Sequence, residues 1–150
     1  MTRIFAVFLL VLVLACDEPS DPPFANPSSV HDRLVSLAGC WQFESPSHDS
    51  PYLPGPLLVR FDTVVDHREF PQLLRLAVNG PVSKRVRIGY WAIPVKADRV
   101  VAFWGDGFTG IDLRLTVDGS QLRGRGYRTS DVRGSLQSSI PVVGSRAACT

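Results

Sequence analysis

The sequence predicts an all-β fold: an eight-stranded antiparallel up-and-down barrel preceded by one short helix. Eight segments are predicted to be strands, and alternation of apolar and polar residues with a period of two is typical of antiparallel strands that have one wet face. The fifth segment, residues 99–104, is apolar on both faces. Glycine and proline number 12 each, and strongly helical stretches are few, so short strands and turns are favoured. Closing eight strands into a barrel leaves no exposed edge, although an eight-stranded sandwich would fit the same pattern.

The chain begins with a segment that is typical of a secretory signal peptide, over residues 1–15. Arg3 provides a positive start, and the apolar run that follows is too short to span a hydrocarbon core of ~30 Å comfortably. The run ends in Val13-Leu14-Ala15-Cys16, which resembles a bacterial lipobox. The resemblance implies that the peptide is cut before Cys16 and that this cysteine is acylated. The alternative is an ordinary signal peptide with a cysteine at its cleavage site.

Acylation of Cys16 would make membrane lipid a partner and place the protein in the cell envelope, because two or three acyl chains give stable anchoring. Asp17 resembles an inner-membrane retention signal of enteric bacteria, and the sequence leaves the choice between inner and outer membrane open. Residues 16–29 contain four prolines among polar residues and are predicted to form an extended tether. The net charge of +2 is too small to indicate a nucleic-acid partner.

The predicted barrel domain covers residues 30–150 and starts with a helix of about two turns. Val30, Leu34 and Leu37 have helical spacing, and Ser29 is predicted to cap this helix. The eight strands are predicted at residues 37–44, 57–66, 72–79, 85–93, 99–104, 109–117, 121–129 and 141–149.

Asp118-Gly119 is the best-defined turn, because these residues suit a type I′ hairpin, in which both central residues have positive φ. The pairing across this turn places one set of residues on a common face that we expect to point inward: Ile111, Leu113, Leu115, Leu122, Gly124 and Gly126. The two glycines either leave space for a ligand or accommodate barrel curvature or a bulky tryptophan opposite. The other face carries Arg114, Arg123 and Arg125, which we expect to be solvated.

The stretch Gly39-Cys40-Trp41 follows the predicted helix and opens the first strand. A short helix, Gly-x-Trp and seven further antiparallel strands resemble the lipocalins and their calycin relatives. The resemblance implies that Gly39 and Trp41 close the barrel base, with Trp41 packed against Arg146 of the last strand. It also implies a mouth beneath a long first loop, residues 45–56. The chain departs from lipocalins in lacking their Thr-Asp-Tyr turn motif and a C-terminal helix.

Cys40 and Cys149 remain once Cys16 is assigned to lipid, and an even pair in an exported protein indicates a disulfide. The first and last strands are neighbours in a closed barrel, so the two cysteines can meet. Strand parity allows Trp41 and Arg146 to face inward while both cysteines face outward. Two unpaired thiols are the alternative.

No motif of nucleophilic, phosphate-binding or acid–base chemistry is present, so we do not expect an enzyme. The histidines, His31, His48 and His67, lie in separate segments and lack the spacing of metal ligands. We therefore expect neither a metal nor a cofactor.

The fold and the resemblance together favour a lipid-anchored protein that binds a small apolar or amphipathic ligand in the barrel mouth. The residues predicted to line this cavity are Tyr90, Trp104, Phe108, Ile111, Leu113, Gly124 and Gly126. The alternative is a protein-interaction module of the envelope, such as an inhibitor of a protease or lysozyme, with a solid barrel. A lumen of roughly a few hundred Å³ would favour the ligand, and a filled barrel would favour the interaction module.

Overall fold

The structure is a computed structural model that describes residues 23–46, 50–95, 98–130 and 137–149. The predicted signal peptide (1–15), Cys16, the first part of the tether and His48 lie outside the described residues. Within these ranges, the single α-helix is too short and too polar to cross a membrane.

The described elements form a closed barrel with a helical lead-in. A 3₁₀ helix, Pro27–Val30, runs into α1, His31–Leu37. A second 3₁₀ helix, Pro81–Arg85, joins the third and fourth strands. The strands are β1 (Gly39–Glu44), β2 (Leu57–His67), β3 (Phe70–Asn79), β4 (Ile88–Ala92), β5 (Arg99–Gly105), β6 (Thr109–Asp118), β7 (Gln121–Ser130) and β8 (Gln137–Ala147).

Strands β1 to β8 pair antiparallel in sequence order, and β1 also pairs with β8. This pairing confirms the predicted eight-stranded barrel. It excludes the sandwich, in which the first and last strands would not meet. The end of the barrel at α1 and the β6–β7 turn is called the base, and the end at the loop between β1 and β2 is called the mouth.

The lead-in starts earlier and packs more closely than the sequence predicts. Ser29 does not cap α1, because it lies within the 3₁₀ helix Pro27–Val30, and α1 has no side-chain cap. The 3₁₀ helix is capped by Asn26, whose Oδ1 accepts from Ser28 N at 3.1 Å, and Pro27 begins it, which suits its fixed φ. Before this cap, Ala25 N donates to Ile93 O at 2.8 Å. Val95 N also donates to Pro23 O, so the second half of the predicted tether, from Pro23 onward, is bonded to the barrel base.

The β6–β7 hairpin has the predicted faces but a different turn. Asp118 pairs with Gln121, so the two-residue loop is Gly119-Ser120 rather than Asp118-Gly119. Only Gly119 has positive φ, at 57°, as in hairpins that need glycine at the first central position. The register nevertheless pairs Leu115 with Gly124 and Leu113 with Gly126, as the sequence predicts.

Aromatic side chains fill the barrel interior. Trp91 stacks on Phe61 at a centroid distance of 4.8 Å, and Phe61 lies 6.0 Å from Phe43. Phe43 in turn lies 6.1 Å from Trp104. These four rings are buried among aliphatic side chains from β2, β3 and β5 to β8. The interior therefore forms one continuous apolar core from base to mouth.

The base is closed by α1 and by the predicted contact between Trp41 and Arg146. The Arg146 guanidinium lies 4.1 Å from the centre of the Trp41 ring, and Trp41 Nε1 donates to Leu37 O at 2.8 Å. Arg146 also donates to Ala38 O at 2.6 Å and to Ser36 O. One arginine from the last strand thus holds both the first strand and the end of α1.

The predicted disulfide between Cys40 and Cys149 is present, with Cα atoms 5.3 Å apart. Trp41 pairs directly with Arg146 and Cys40 with Ala147, so the disulfide and the Trp41–Arg146 contact lie on opposite faces of β1. The parity that the sequence predicts is therefore confirmed. Both devices join the two strands whose pairing closes the barrel.

Candidate functional site at the barrel mouth

The loop between β1 and β2 closes the mouth from within. Leu53 is 0% exposed and belongs to the apolar core, and its backbone N donates to Ser50 O at 3.0 Å in a tight turn. The indole Nε1 of Trp104 donates to Tyr52 O at 2.9 Å. The indole N–H of Trp104, which is the only donor of this buried side chain, is therefore hydrogen-bonded to the loop. This bond holds the neighbouring Leu53 in the core beneath the mouth, and Leu53 is called the plug.

Three residues predicted to line a ligand cavity point inward but belong to the packed core. Trp104, Ile111 and Leu113 are completely buried. The space beside Gly126 is also occupied, because a Cβ there would lie 2.9 Å from Leu113 Cδ2 and 3.0 Å from Ile111 Cδ1. Gly126 accommodates these side chains rather than a ligand.

Gly124 was also predicted to line the cavity, and the structure corrects this prediction. A Cβ at Gly124 would fall 2.0 Å from the backbone oxygen of Arg114 on β6. The position therefore permits close approach of two strand backbones and a sharp bend of the sheet, as glycine does at barrel corners. Curvature, the alternative to ligand space, is the observed reason for this glycine.

Tyr90 and Phe108 were predicted to face the cavity, and the structure places both outside. On β4 the inward position belongs to Trp91, whose Nε1 donates to Asp62 O at 2.8 Å. Tyr90 consequently faces outward and stacks on Phe103 of β5 at 5.2 Å. The strand was predicted to start at Arg85, which is the last residue of the 3₁₀ helix Pro81–Arg85, whereas β4 starts at Ile88, which is itself exposed.

Phe108 is 72% exposed on the turn between β5 and β6, yet the turn itself is tightly bonded. Asp106 Oδ1 accepts from the backbone N of Phe108 and of Thr109, both at 2.8 Å. Asp106 N donates to Thr109 O at 3.0 Å, and Gly107 takes a φ of 100°. An aspartate that accepts two successive backbone N–H groups and a positive-φ glycine together fix this turn and the Phe108 backbone.

The Phe108 turn is joined to the plug through Tyr52. The Tyr52 hydroxyl donates to Asp106 Oδ2 at 2.7 Å and contacts Thr109 Oγ1 at 2.5 Å. The pKa of Asp106 is far below its ordinary value of 3.8, because three donors stabilise the ionised carboxylate. The largest effect comes from the backbone N–H of Thr109, followed by the Tyr52 hydroxyl and the backbone N–H of Phe108. Burial raises the pKa of Tyr52 above 10. Both groups therefore keep at neutral pH the protonation states that the network requires.

A cleft of about 370 Å³ opens beside this network at the mouth. Arg85 and Arg128 flank it, Tyr52, Asp106 and Thr109 form part of its wall, and Thr129 and Ser130 complete its polar lining. Both arginines are exposed, and within the described ranges neither forms an ion pair. The mouth therefore combines an exposed aromatic ring with two available cations, a feature that the sequence analysis missed.

The outer arginines of β6 and β7 contrast with those at the mouth. Arg114 lies 3.4 Å from Asp112 and 5.2 Å from the Tyr127 ring centre, and Arg123 lies 3.1 Å from Asp118. Arg125 donates to Ser139 at 2.8 Å. These arginines have local partners on the sheet, which fits the predicted solvated face.

The described residues contain no group of three His, Cys, Asp or Glu side chains that could hold a metal ion. The chain matches no protein-family model, no curated protein and no solved structure. Its candidate site is accordingly defined by its own chemistry: the mouth surface, consisting of Arg85, Asp106, Phe108 and Arg128 together with the exposed Ile88.

Proposed function

We propose that this protein is an exported bacterial lipoprotein, anchored in the envelope through acylated Cys16, whose solid barrel acts as a protein-interaction module. The observation that carries this proposal is the filled interior. The space in which a lipocalin-like container would hold its ligand is occupied by aromatic rings and by Leu53. A solid barrel offers a rigid scaffold, and its binding energy must come from surface residues.

The mouth surface has the composition of a protein-binding site. Phe108 exposes an apolar ring on a rigid turn, so little conformational entropy would be lost when a partner covers it. Aromatic anchors and arginines are enriched among residues that dominate binding energy. Arg85 and Arg128 would favour a partner that offers carboxylates around an apolar pocket. An acidic protein of the envelope, such as an enzyme inhibited by this module, fits these requirements.

Kinship with lipocalins belongs to the same proposal. Its support is the short helix before Gly39-Cys40-Trp41, the closed eight-stranded barrel and the Arg146 contact to Trp41. The proposal keeps this ancestry as a source of the fold and assigns the function to the outer surface. Nothing in it requires a cofactor or a catalytic residue.

The interaction proposal is tested by photocrosslinking in the producing bacterium. A photoreactive amino acid at position 108 and another at position 128 are expected to crosslink the same protein, because both residues lie on the mouth surface. Thr116, exposed on β6 near the base, provides the matched control position. The double variant Arg85→Glu and Arg128→Glu should abolish the crosslink from position 108. Equal crosslinking from positions 108 and 116, or none from 108, would reject the mouth as the binding surface.

The anchoring part of the proposal has a separate test. The intact mass of the purified protein should correspond to a chain that starts at Cys16 and carries acyl groups, and Cys16→Ser should remove the protein from the membrane fraction. The ligand alternative is tested with a fluorescent fatty-acid probe added to the purified protein. We expect no uptake, because the interior is filled; saturable uptake with one probe per chain would favour the container function instead.

A further inference from the structure

Exposed large apolar side chains are concentrated at the base of the barrel. Two of them, Ile88 and Phe108, lie at the mouth. The remaining six are carried by α1, the β2–β3 hairpin, the segment after β4 and the end of β6, all of which meet at the base. This base surface consists of Val35, Val64, Val65, Phe70, Val95 and Val117.

The β2–β3 hairpin extends beyond its neighbouring strands. Gly39, the first residue of β1, pairs with Phe61, but β2 continues to His67. On the other side β4 pairs with β3 only from Leu74, whereas β3 begins at Phe70. The hairpin tip thus projects from the base with Phe70 49% exposed. A projecting strand pair with exposed apolar side chains is typical of a surface that binds a partner or a membrane.

The chain that leads to Cys16 leaves the barrel at this same end. Val95 N donates to Pro23 O at 2.9 Å, which fixes the exit point beside Val95, itself 59% exposed. Cys16 lies seven positions before Pro23, and a segment of that length reaches at most about 25 Å. A lipid on Cys16 would therefore hold the base, where the chain leaves the barrel, within about 25 Å of the bilayer.

We infer that the base surface docks onto the lipid bilayer, with the β2–β3 tip and Val95 at the level of the headgroups. This inference rests on the proposed acylation of Cys16. Interfacial binding of this kind depends on the apolar area that enters the bilayer. The tip carries Arg68 between Asp66 and Glu69, so it has no excess of positive charge that would select anionic lipids. Zwitterionic phospholipid is therefore a sufficient surface, and the mouth surface points away from the membrane toward soluble partners.

Tryptophan scanning on vesicles tests this arrangement. The acylated full-length product is purified from membranes as the variant Phe70→Trp and, separately, as Phe108→Trp, and is reconstituted into phosphatidylcholine vesicles with brominated acyl chains. The native tryptophans are buried, so the unsubstituted protein supplies the baseline. Trp at position 70 should shift its emission to shorter wavelength and be quenched by bromine. Trp at position 108 should show neither change.

A second variant and a flotation assay separate the outcomes. Adding Val64→Ser and Val95→Ser to Phe70→Trp should reduce the quenching, and vesicles with anionic lipid should leave it unchanged. Flotation with quenching at 70 alone supports the inference. Flotation without quenching at 70, or with quenching at 108 instead, overturns the docking while the lipid anchor stands. A purified chain that lacks acyl groups and stays off the vesicles overturns the anchor and the docking together.

Discussion

Arg146 holds Trp41 from one side: its guanidinium lies 4.1 Å from the ring centre, while its nitrogens donate to the backbone oxygens of Ser36 and Ala38. The contact joins the last strand, the first strand and the end of α1. The carbonyls at a helix C-terminus lack intrahelical partners, and a cation there also interacts favourably with the helix dipole. Burial lowers the pKa of Arg146 below its ordinary value, but an arginine stays charged throughout the physiological range.

Replacing Arg146 should weaken the closure of the base. Arg146→Ala removes a cation–π contact and two charged hydrogen bonds, so we expect a loss of about 2–3 kcal/mol in the free energy of unfolding. Arg146→Lys should recover only part, since an ammonium cannot donate in the same fork. Urea unfolding measures both. The control Arg123→Ala removes an exposed ion pair and should cost less than about 1 kcal/mol. Equal losses at 146 and 123 would contradict this role.

Gly39 is required by both conformation and space. Its φ is 114°, and a Cβ there would lie 3.0 Å from Arg146 Nη1. Gly39→Ala should therefore lower the free energy of unfolding by about 1–3 kcal/mol. Gly55→Ala is the matched control, because its φ is not in the positive range and no atom lies within 4 Å of the added Cβ. That variant should be neutral or slightly stabilising. The difference in urea midpoint between the two alanine variants checks the prediction.

The disulfide should contribute more than any single contact at the base. Cys40 and Cys149 are separated by 109 positions, and opening so long a loop should cost up to about 4–5 kcal/mol in the chain-entropy model. The comparison is between the native protein and the double variant Cys40→Ala and Cys149→Ala, with thermal unfolding as the readout. A change below about 1 kcal/mol would contradict the prediction, because it would mean that the disulfide hardly restricts the denatured chain.

Leu53 should behave as a core residue although it lies in a loop. Leu53→Ala is expected to cost about 2–5 kcal/mol because it leaves a cavity beneath the mouth. Leu58→Ala, at a half-buried position on β2, should cost less than half as much. Urea unfolding compares the two variants. If the Leu53→Ala protein also takes up an apolar probe, the Leu53 side chain is what prevents the barrel from binding an apolar ligand.

Asp106 should make stability depend on acid pH. Its pKa is lower in the folded protein than its ordinary value of 3.8, so the ionised carboxylate stabilises the fold above pH 3.8. That contribution is lost as the pH falls below 3.8 toward the lowered pKa. Urea midpoints measured from about pH 6 to about pH 2 should fall less steeply for Asp106→Asn than for the native protein. Tyr52→Phe removes one of the donors and should give an intermediate slope; a slope unchanged in both variants would contradict the network.

Periodicity determined most of this fold in advance. Each of the eight predicted segments overlaps one observed strand, although the segment that forms β5 is apolar on both faces. The bounds of β6 and β7 were assigned within a residue because their inward faces are apolar and their outward faces charged. The pairing of Cys40 with Cys149 followed from an even pair of cysteines in an exported chain, and the contact of Trp41 with Arg146 followed from the lipocalin resemblance. Strand parity made the two compatible, since a strand residue has only two faces to choose from. Alternation of apolar and polar residues is present in any strand that buries one face of a sheet and exposes the other.

The filling of the barrel and the surface that it leaves for function were decided by tertiary structure alone. Tyr90 and Trp91 are both large and aromatic, and only the register with β5 directs the second inward. Leu53 and Tyr52 lie in a Pro-rich loop without periodicity, so their place over Trp104 depends on a contact between residues 52 positions apart in sequence. The sequence by itself determined that a barrel forms and how it is closed at the base. Long-range packing, which no local pattern encodes, determined that its interior is solid and that Phe108, Arg85 and Arg128 face outward together at the mouth.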